Sequence, residues 1–363
     1  MSTPHDPSTR KAAHLEICTA PEFYQVESGT TGFQELSFIH NPLPQTSFDD
    51  VSLTTKFLGK SVSFPFFISS MTGGSEGGYA LNKDLARAAE KIGIPVGMGS
   101  IRILFRKPEV FNHFRFRKFA PSVPFFANLG SVQIRDMEHR EIFEVLNRLE
   151  ADGIAVHLNP AQELFQPEGD RDFRSIKEAL YRFFDKCPIP VIVKETGCGI
   201  PRGLAVDLVS HGASYIDVAG SGGTNWMRVE DFRETVVSSK EVEEFDSWGI
   251  PTALNLSSYF GLESPRLDPV LSGKVLSSGG LRSGMDGLKS LALGASLFGM
   301  ALPVALAHKS GGYDGLVQFL NSLKRTLHRG MLLLGVRDVI SLPNTLLVAT
   351  QEFLYKTEQL KRG

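Results

Sequence analysis

Three cysteines, Cys18, Cys187 and Cys198, are all that 363 residues carry. They are too few for a disulfide framework and too widely spaced for a zinc site, which predicts a reducing, cytoplasmic setting. No apolar run approaches the length of a bilayer span, and the polar residues 1–9 lack the core of a secretory leader. A soluble protein with no membrane partner is expected. Neither sign of charge is in surplus: 38 Lys and Arg face 40 Asp and Glu, a net charge of −2. That balance speaks against a nucleic-acid partner and leaves room for a local basic patch that holds phosphate. Also missing is a G-x-G-x-x-G after the first strand, the mark of a dinucleotide-binding open sheet.

What the chain has is alternation. Short apolar runs at 64–69, 94–98, 123–127, 154–158, 190–194, 214–218, 274–277 and 296–299 read as strands. Between them lie helical patterns: Leu81, Leu85, Ala89 and Ile92; the stretch 108–118; Ile142, Val145, Leu146 and Leu149; Ile176, Leu180 and Phe184; and a helix opening at Pro201. Eight such units predict the α/β class, as a single (β/α)8 TIM barrel over 64–363 with an N-terminal extension over 1–63 packed on it. An open doubly wound sheet would use the same alternation. The connection over 220–251 is far longer than usual and reads as a lid-like loop, with disorder expected in its charged middle, 238–246.

Chemistry gathers at the predicted strand ends. His157-Leu158-Asn159-Pro160-Ala161-Gln162-Glu163 leaves the fourth strand, and Lys194-Glu195 leaves the fifth. In a parallel barrel both open into one mouth. The turns Met71-Thr72-Gly73-Gly74, Gly97-Met98-Gly99-Ser100, Gly220-Ser221-Gly222-Gly223-Thr224 and Ser278-Gly279-Gly280 all follow strands. One glycine pair alone is ordinarily a turn, and His157 alone a structural histidine. Four turns on one face suggest a cradle for an anion or a flat ring. Gly279-Gly280-Leu281-Arg282 and Met300-Ala301 fall after strands seven and eight, where barrels favour phosphate. Asn128, Lys194 and Thr224 are placed to hydrogen-bond a flavin-type ring. Gln162 and Glu163 would face a second ligand, and a lone carboxylate suits Mg²⁺ completed by substrate phosphates. By composition, Arg10-Lys11 with His14 reads as a solvated tail.

These motifs, with Arg10-Lys11-Ala12-Ala13-His14, Phe57-Leu58-Gly59-Lys60, Ala127-Asn128-Leu129-Gly130 and Asp217-Val218-Ala219-Gly220, closely resemble the type 2 isopentenyl diphosphate isomerases. The resemblance covers almost the whole chain. It implies interconversion of isopentenyl and dimethylallyl diphosphate on reduced FMN with Mg²⁺, with NAD(P)H as reductant and no net redox change. It also implies a homo-oligomer, tetramer or octamer. By the same resemblance Ser70, Met71, Thr72, Ser100, Asn128, Lys194, Thr224, Gly279, Gly280, Leu281, Arg282, Met300 and Ala301 hold FMN, and Glu163 binds Mg²⁺. Arg10, Lys11, His14, Ser100, Arg102, Asn159 and Gln162 contact substrate. Gln162, His157, Lys194, Trp226 and Glu230 form the catalytic set, with Trp226 and Glu230 closing over the apolar tail. Ile101, Ala219, Asn225, Cys198 and Pro201 depart from the family pattern. The rival readings are an FMN barrel oxidoreductase of the hydroxy-acid oxidase type and a non-enzymatic flavin- or phosphate-binding protein.

Overall fold

The computed structural model describes residues 7–73, 75–234 and 238–362. Eight parallel strands close a barrel: β1 (Phe66–Ile68), β2 (Val96–Gly97), β3 (Phe125–Gly130), β4 (Gly153–His157), β5 (Val191–Lys194), β6 (Tyr215–Asp217), β7 (Val275–Ser277) and β8 (Leu297–Met300). Each predicted strand is present. β3 is buried along its whole length, as a parallel strand covered on both faces must be. The register places Gly130 beside His157, His157 beside Lys194, and Lys194 beside Asp217. One rim of the barrel thus collects the chemistry.

Its opposite end is stoppered. The hairpin Thr55–Phe57 with Lys60–Val62 drives Phe57, 1% exposed, among Phe67, Phe126, Ala155, Ile192, Leu276 and Leu297. Burying a phenylalanine there is worth about 1.5–3 kcal/mol. The outer helices seat the residues their spacing predicts. His139–Leu149 buries Ile142, Val145, Leu146 and Leu149, and Ile176–Lys186 buries Leu180 and Phe184. Strand Leu36–Phe38 pairs antiparallel with Leu347–Ala349, tying the early chain to its C-terminal part.

Two expectations are corrected. The stretch 108–118 forms 3₁₀ segments, Pro108–Phe114 and Phe116–Lys118. Phe114 and Phe116 are both buried, and residues two apart cannot share one α-helical face. The described residues of the 220–251 connection are not a structureless loop, and a helix lies within 238–246. Helix Trp226–Glu234 is followed by Lys240–Glu243, and helix Thr252–Phe260 comes next. Their apolar partner comes from far away in sequence: Val229 and Phe232 pack with Ile17 and Val26. Arg228 is ion-paired with Asp246, and Ser239 donates from its backbone N–H and its hydroxyl to Asp231. Among the described residues no helix is long and apolar enough to cross a membrane.

Candidate functional site

The cavity at the carboxyl ends of the strands is lined by every predicted site residue except Glu230. Gly74 lies outside the described residues. The N-terminal helix Pro7–Thr19 roofs the cavity, turning Arg10, Lys11, His14, Leu15, Cys18 and Thr19 into it at the spacing of one helical face. Composition marked this segment as a tail; the fold makes it a wall.

Cations converge here. Lys11 Nζ donates to the Ser100 carbonyl at 2.8 Å, and burial, then Arg10, lowers its pKa to about 7. His157 is held down to about 3, first by burial and then by Lys194, Lys11, Arg102 and Arg10. It is therefore neutral, and its Nδ1 sits 2.9 Å from Asn128 Oδ1. With the amide oxygen as acceptor, the ring donates from Nδ1 and keeps its lone pair on Nε2. Lys194, Arg102 and Arg10, joined by Lys11 once it is protonated, surround a neutral imidazole and make a basin for a multiply charged anion.

Gln162 and Glu163 ride on the short helix Pro160–Phe165. Asn159 Nδ2 donates to Glu163 Oε1 at 2.9 Å, and the Asp170 N–H donates to Oε2 at 2.8 Å. Among the described residues no group of three or more His, Cys, Asp or Glu is placed to hold a metal. A single fixed carboxylate beside a phosphate basin still fits Mg²⁺, which keeps waters and takes substrate oxygens. Glu230 stands behind this layer, with no exposed side-chain surface. Burial alone would raise its carboxyl, but His14, Arg233 and Gln162 hold it down to about 2. Glu230 does not line the cavity; its Oε1 accepts from Gln162 Nε2 at 2.6 Å and lies 3.1 Å from His14 Nε2.

The other side of the cavity suits a phosphorylated flat cofactor. The hydroxyls of Ser69, Ser70 and Thr72 are buried without a partner, and all three line the cavity. Buried hydroxyls left unpaired are costly, so a ligand that bonds them is expected. Gly279 and Gly280 adopt φ of 96° and 76°, and a side chain at either would strike the backbone of the Gly220 or Gly222 turn. Two turns thus meet backbone to backbone, and the same cavity is lined by Ala301 at the N-terminus of the helix that begins at Leu302, where phosphate is attracted. Arg282 lines this end and ion-pairs with Glu27. Lys194 Nζ donates to the carbonyl of Glu195 at 2.5 Å, while the Glu195 carboxylate accepts from the N–H groups of Thr196, Gly197 and Cys198. The glutamate shapes the turn and leaves Lys194 at the mouth.

Of the departures from the family pattern, Asn225 has a clear role. Its Oδ1 accepts from the Met227 N–H at 2.9 Å, capping helix Trp226–Glu234, and its Nδ2 donates to Ser28. Pro201 precedes helix Arg202–Ser210, and burial pushes the Cys198 thiol up to about 12. Sequence reasoning missed Ser69, Gln133, Thr196, Leu15, Cys18 and Thr19 in the wall. Ser69 and Thr196 sit just beyond strand ends, a signal that could have found them.

The model of the FMN-dependent dehydrogenase family matches residues 266–349. An isopentenyl-diphosphate delta-isomerase from Pelodictyon phaeoclathratiforme is 42% identical over 351 residues, covering 93% of this chain and 96% of that protein. One from Borrelia garinii is 38% identical, with 92% and 90% covered, and one from Pyrococcus furiosus 36%, with 97% and 92%. Among solved structures, mandelate oxidase with (S)-2-phenylpropionate aligns at a TM-score of 0.64 and 19% identity, covering 94% of this chain and 97% of that one. At that identity the likeness concerns the fold.

Proposed function

The chain belongs to the isopentenyl-diphosphate delta-isomerase family, and from that premise we propose that reduced FMN in the barrel mouth and Mg²⁺ at Glu163 serve its interconversion of isopentenyl and dimethylallyl diphosphate. The observation that carries the reading is the joining, in one cavity, of a basic basin to a cradle of unpaired hydroxyls and glycine turns.

Moving a double bond by one carbon adds a proton at one end of an allylic unit and removes one from the other. Bound reduced FMN supplies an electron-rich ring that can exchange a proton with no net gain or loss of electrons. Ser70, Met71, Thr72, Ser100, Asn128, Lys194, Thr224, Gly279, Gly280, Leu281, Arg282, Met300 and Ala301 would hold it. Arg10, Lys11 and Arg102 neutralise the diphosphate, with His157 and Asn159 beside them. Gln162, fixed from behind by Glu230, orients the five-carbon unit. Trp226, whose ring meets His14 edge-on at 5.2 Å, shields that unit from water.

NAD(P)H as the source of electrons, a tetramer or octamer, a cytoplasmic location and the division into extension 1–63 and barrel 64–363 belong to the same reading and rest on family resemblance. The hydroxy-acid oxidase reading is supported only by a likeness of fold at 19% identity, whereas the isomerase relative from Pelodictyon phaeoclathratiforme is 42% identical over 93% of this chain. The test is a proton NMR time course of isopentenyl diphosphate with protein, FMN and Mg²⁺, anaerobically, with and without a flavin reductant. Dimethylallyl diphosphate appearing only with reductant supports the reading; no conversion with FMN bound rejects it.

A further inference from the structure

The helix that carries Gln162 and Glu163 ends abnormally. The Glu163 carbonyl would ordinarily accept from the N–H four residues on, but position 167 is proline and has none. Arg171 fills the gap: its Nη1 donates to the Glu163 carbonyl, and its Nη2 donates to the Gln166 carbonyl at 2.9 Å. The chain between them folds back tightly. The Gly169 N–H also donates to the Gln166 carbonyl at 2.9 Å, and a Cβ at Gly169 would fall on the Glu163 carbonyl.

The same turn delivers the Asp170 N–H to Glu163 Oε2 at 2.8 Å, opposite Asn159 on Oε1. Each carboxylate oxygen is fixed by one donor and keeps a lone pair for a cation. Arg171 itself is exposed and does not line the cavity. We propose that residues 166–171 form a clasp that aims the Glu163 carboxylate at its metal, with Arg171 as the positioning residue; this rests on Glu163 being the metal ligand. Partners of metal-binding carboxylates fix their orientation, and losing such a partner typically weakens metal binding about tenfold or more. A residue that only supported the fold would instead weaken FMN retention and metal binding together.

The test compares Arg171→Ala, Arg171→Lys and Glu163→Gln in the FMN-loaded protein. Mn²⁺ binding is read by electron paramagnetic resonance with inorganic diphosphate present, alongside FMN retention and the Mg²⁺ concentration for half-maximal turnover. Arg171→Ala should weaken Mn²⁺ binding about tenfold and raise the Mg²⁺ requirement to match, with FMN retained and kcat at saturating Mg²⁺ unchanged. Arg171→Lys, able to reach one carbonyl, should fall between. Undiminished Mn²⁺ binding in Arg171→Ala, with loss in Glu163→Gln, overturns the clasp alone. Undiminished binding in Glu163→Gln removes Glu163 as ligand and the clasp with it. Should Arg171→Ala fail to fold, undiminished Mn²⁺ binding in Arg171→Lys overturns the proposal.

Discussion

Gln162 and Glu230 are joined by a 2.6 Å hydrogen bond from Gln162 Nε2 to Glu230 Oε1, although 68 residues separate them in sequence. His14 Nε2 lies 3.1 Å from the same oxygen, and Arg233 donates to the other at 2.6 Å. One buried carboxylate therefore fixes a group from the roof helix and a group from the site helix. Glu230→Ala should lower turnover tenfold to a hundredfold, since hydrogen bonds to a charged partner are worth about 1.5–3 kcal/mol each. FMN should stay bound. Steady-state kinetics and flavin content check this, and parallel loss of both would assign Glu230 to the fold.

His157 makes stability depend on pH. Its ordinary value is 6.5, and burial with the surrounding cations lowers it to about 3. Between those values the unfolded chain binds a proton that the native chain refuses. Stability therefore falls as pH drops through 6.5 and stops falling from this source near 3. Thermal denaturation at about pH 7 and pH 5 should show a smaller loss for His157→Asn than for the parent. Equal losses would contradict the buried neutral imidazole.

Lys11 should report the anion directly. Burial and Arg10 lower it from 10.5 to about 7, so near pH 8 the ligand-free protein carries it largely neutral. An arriving diphosphate favours the charged form, and binding should take up a proton. Titration calorimetry with inorganic diphosphate in buffers of different ionisation enthalpy should show that uptake, and Lys11→Met should abolish it.

The unpaired hydroxyls predict a graded effect on the cofactor. Ser70→Ala or Thr72→Val should each weaken FMN binding about threefold to tenfold, the worth of one hydrogen bond. The apo protein should melt no earlier, because in it these hydroxyls have no partner to lose. Fluorescence titration of FMN and apo-protein melting separate the two quantities.

Legibility in the sequence tracked the distance over which residues cooperate. Strands such as Val191–Lys194 announce themselves because local apolar runs suffice to define them. The site residues at their ends follow from the barrel's geometry alone. The helix Trp226–Glu234 did not read as ordered, because its partners Ile17 and Val26 lie some two hundred residues earlier. Lys240–Glu243 was obscured for the same reason: a charged run looks solvated until Arg228 is seen against Asp246. Arg10 and Lys11 looked bland because charge composition says nothing of the cavity that a helix will roof. Glu230 was named together with Trp226, and only packing shows that its carboxylate bonds Gln162 and lies outside the cavity wall.

The proposed reaction is an isomerisation on reduced flavin without net electron transfer. Its most direct test follows flavin absorbance and product together, anaerobically, after isopentenyl diphosphate is added to the reduced, Mg²⁺-supplied protein. Many turnovers to dimethylallyl diphosphate are expected, with the flavin still reduced at the end. Flavin oxidised in proportion to substrate consumed would contradict it and leave an oxidoreductase.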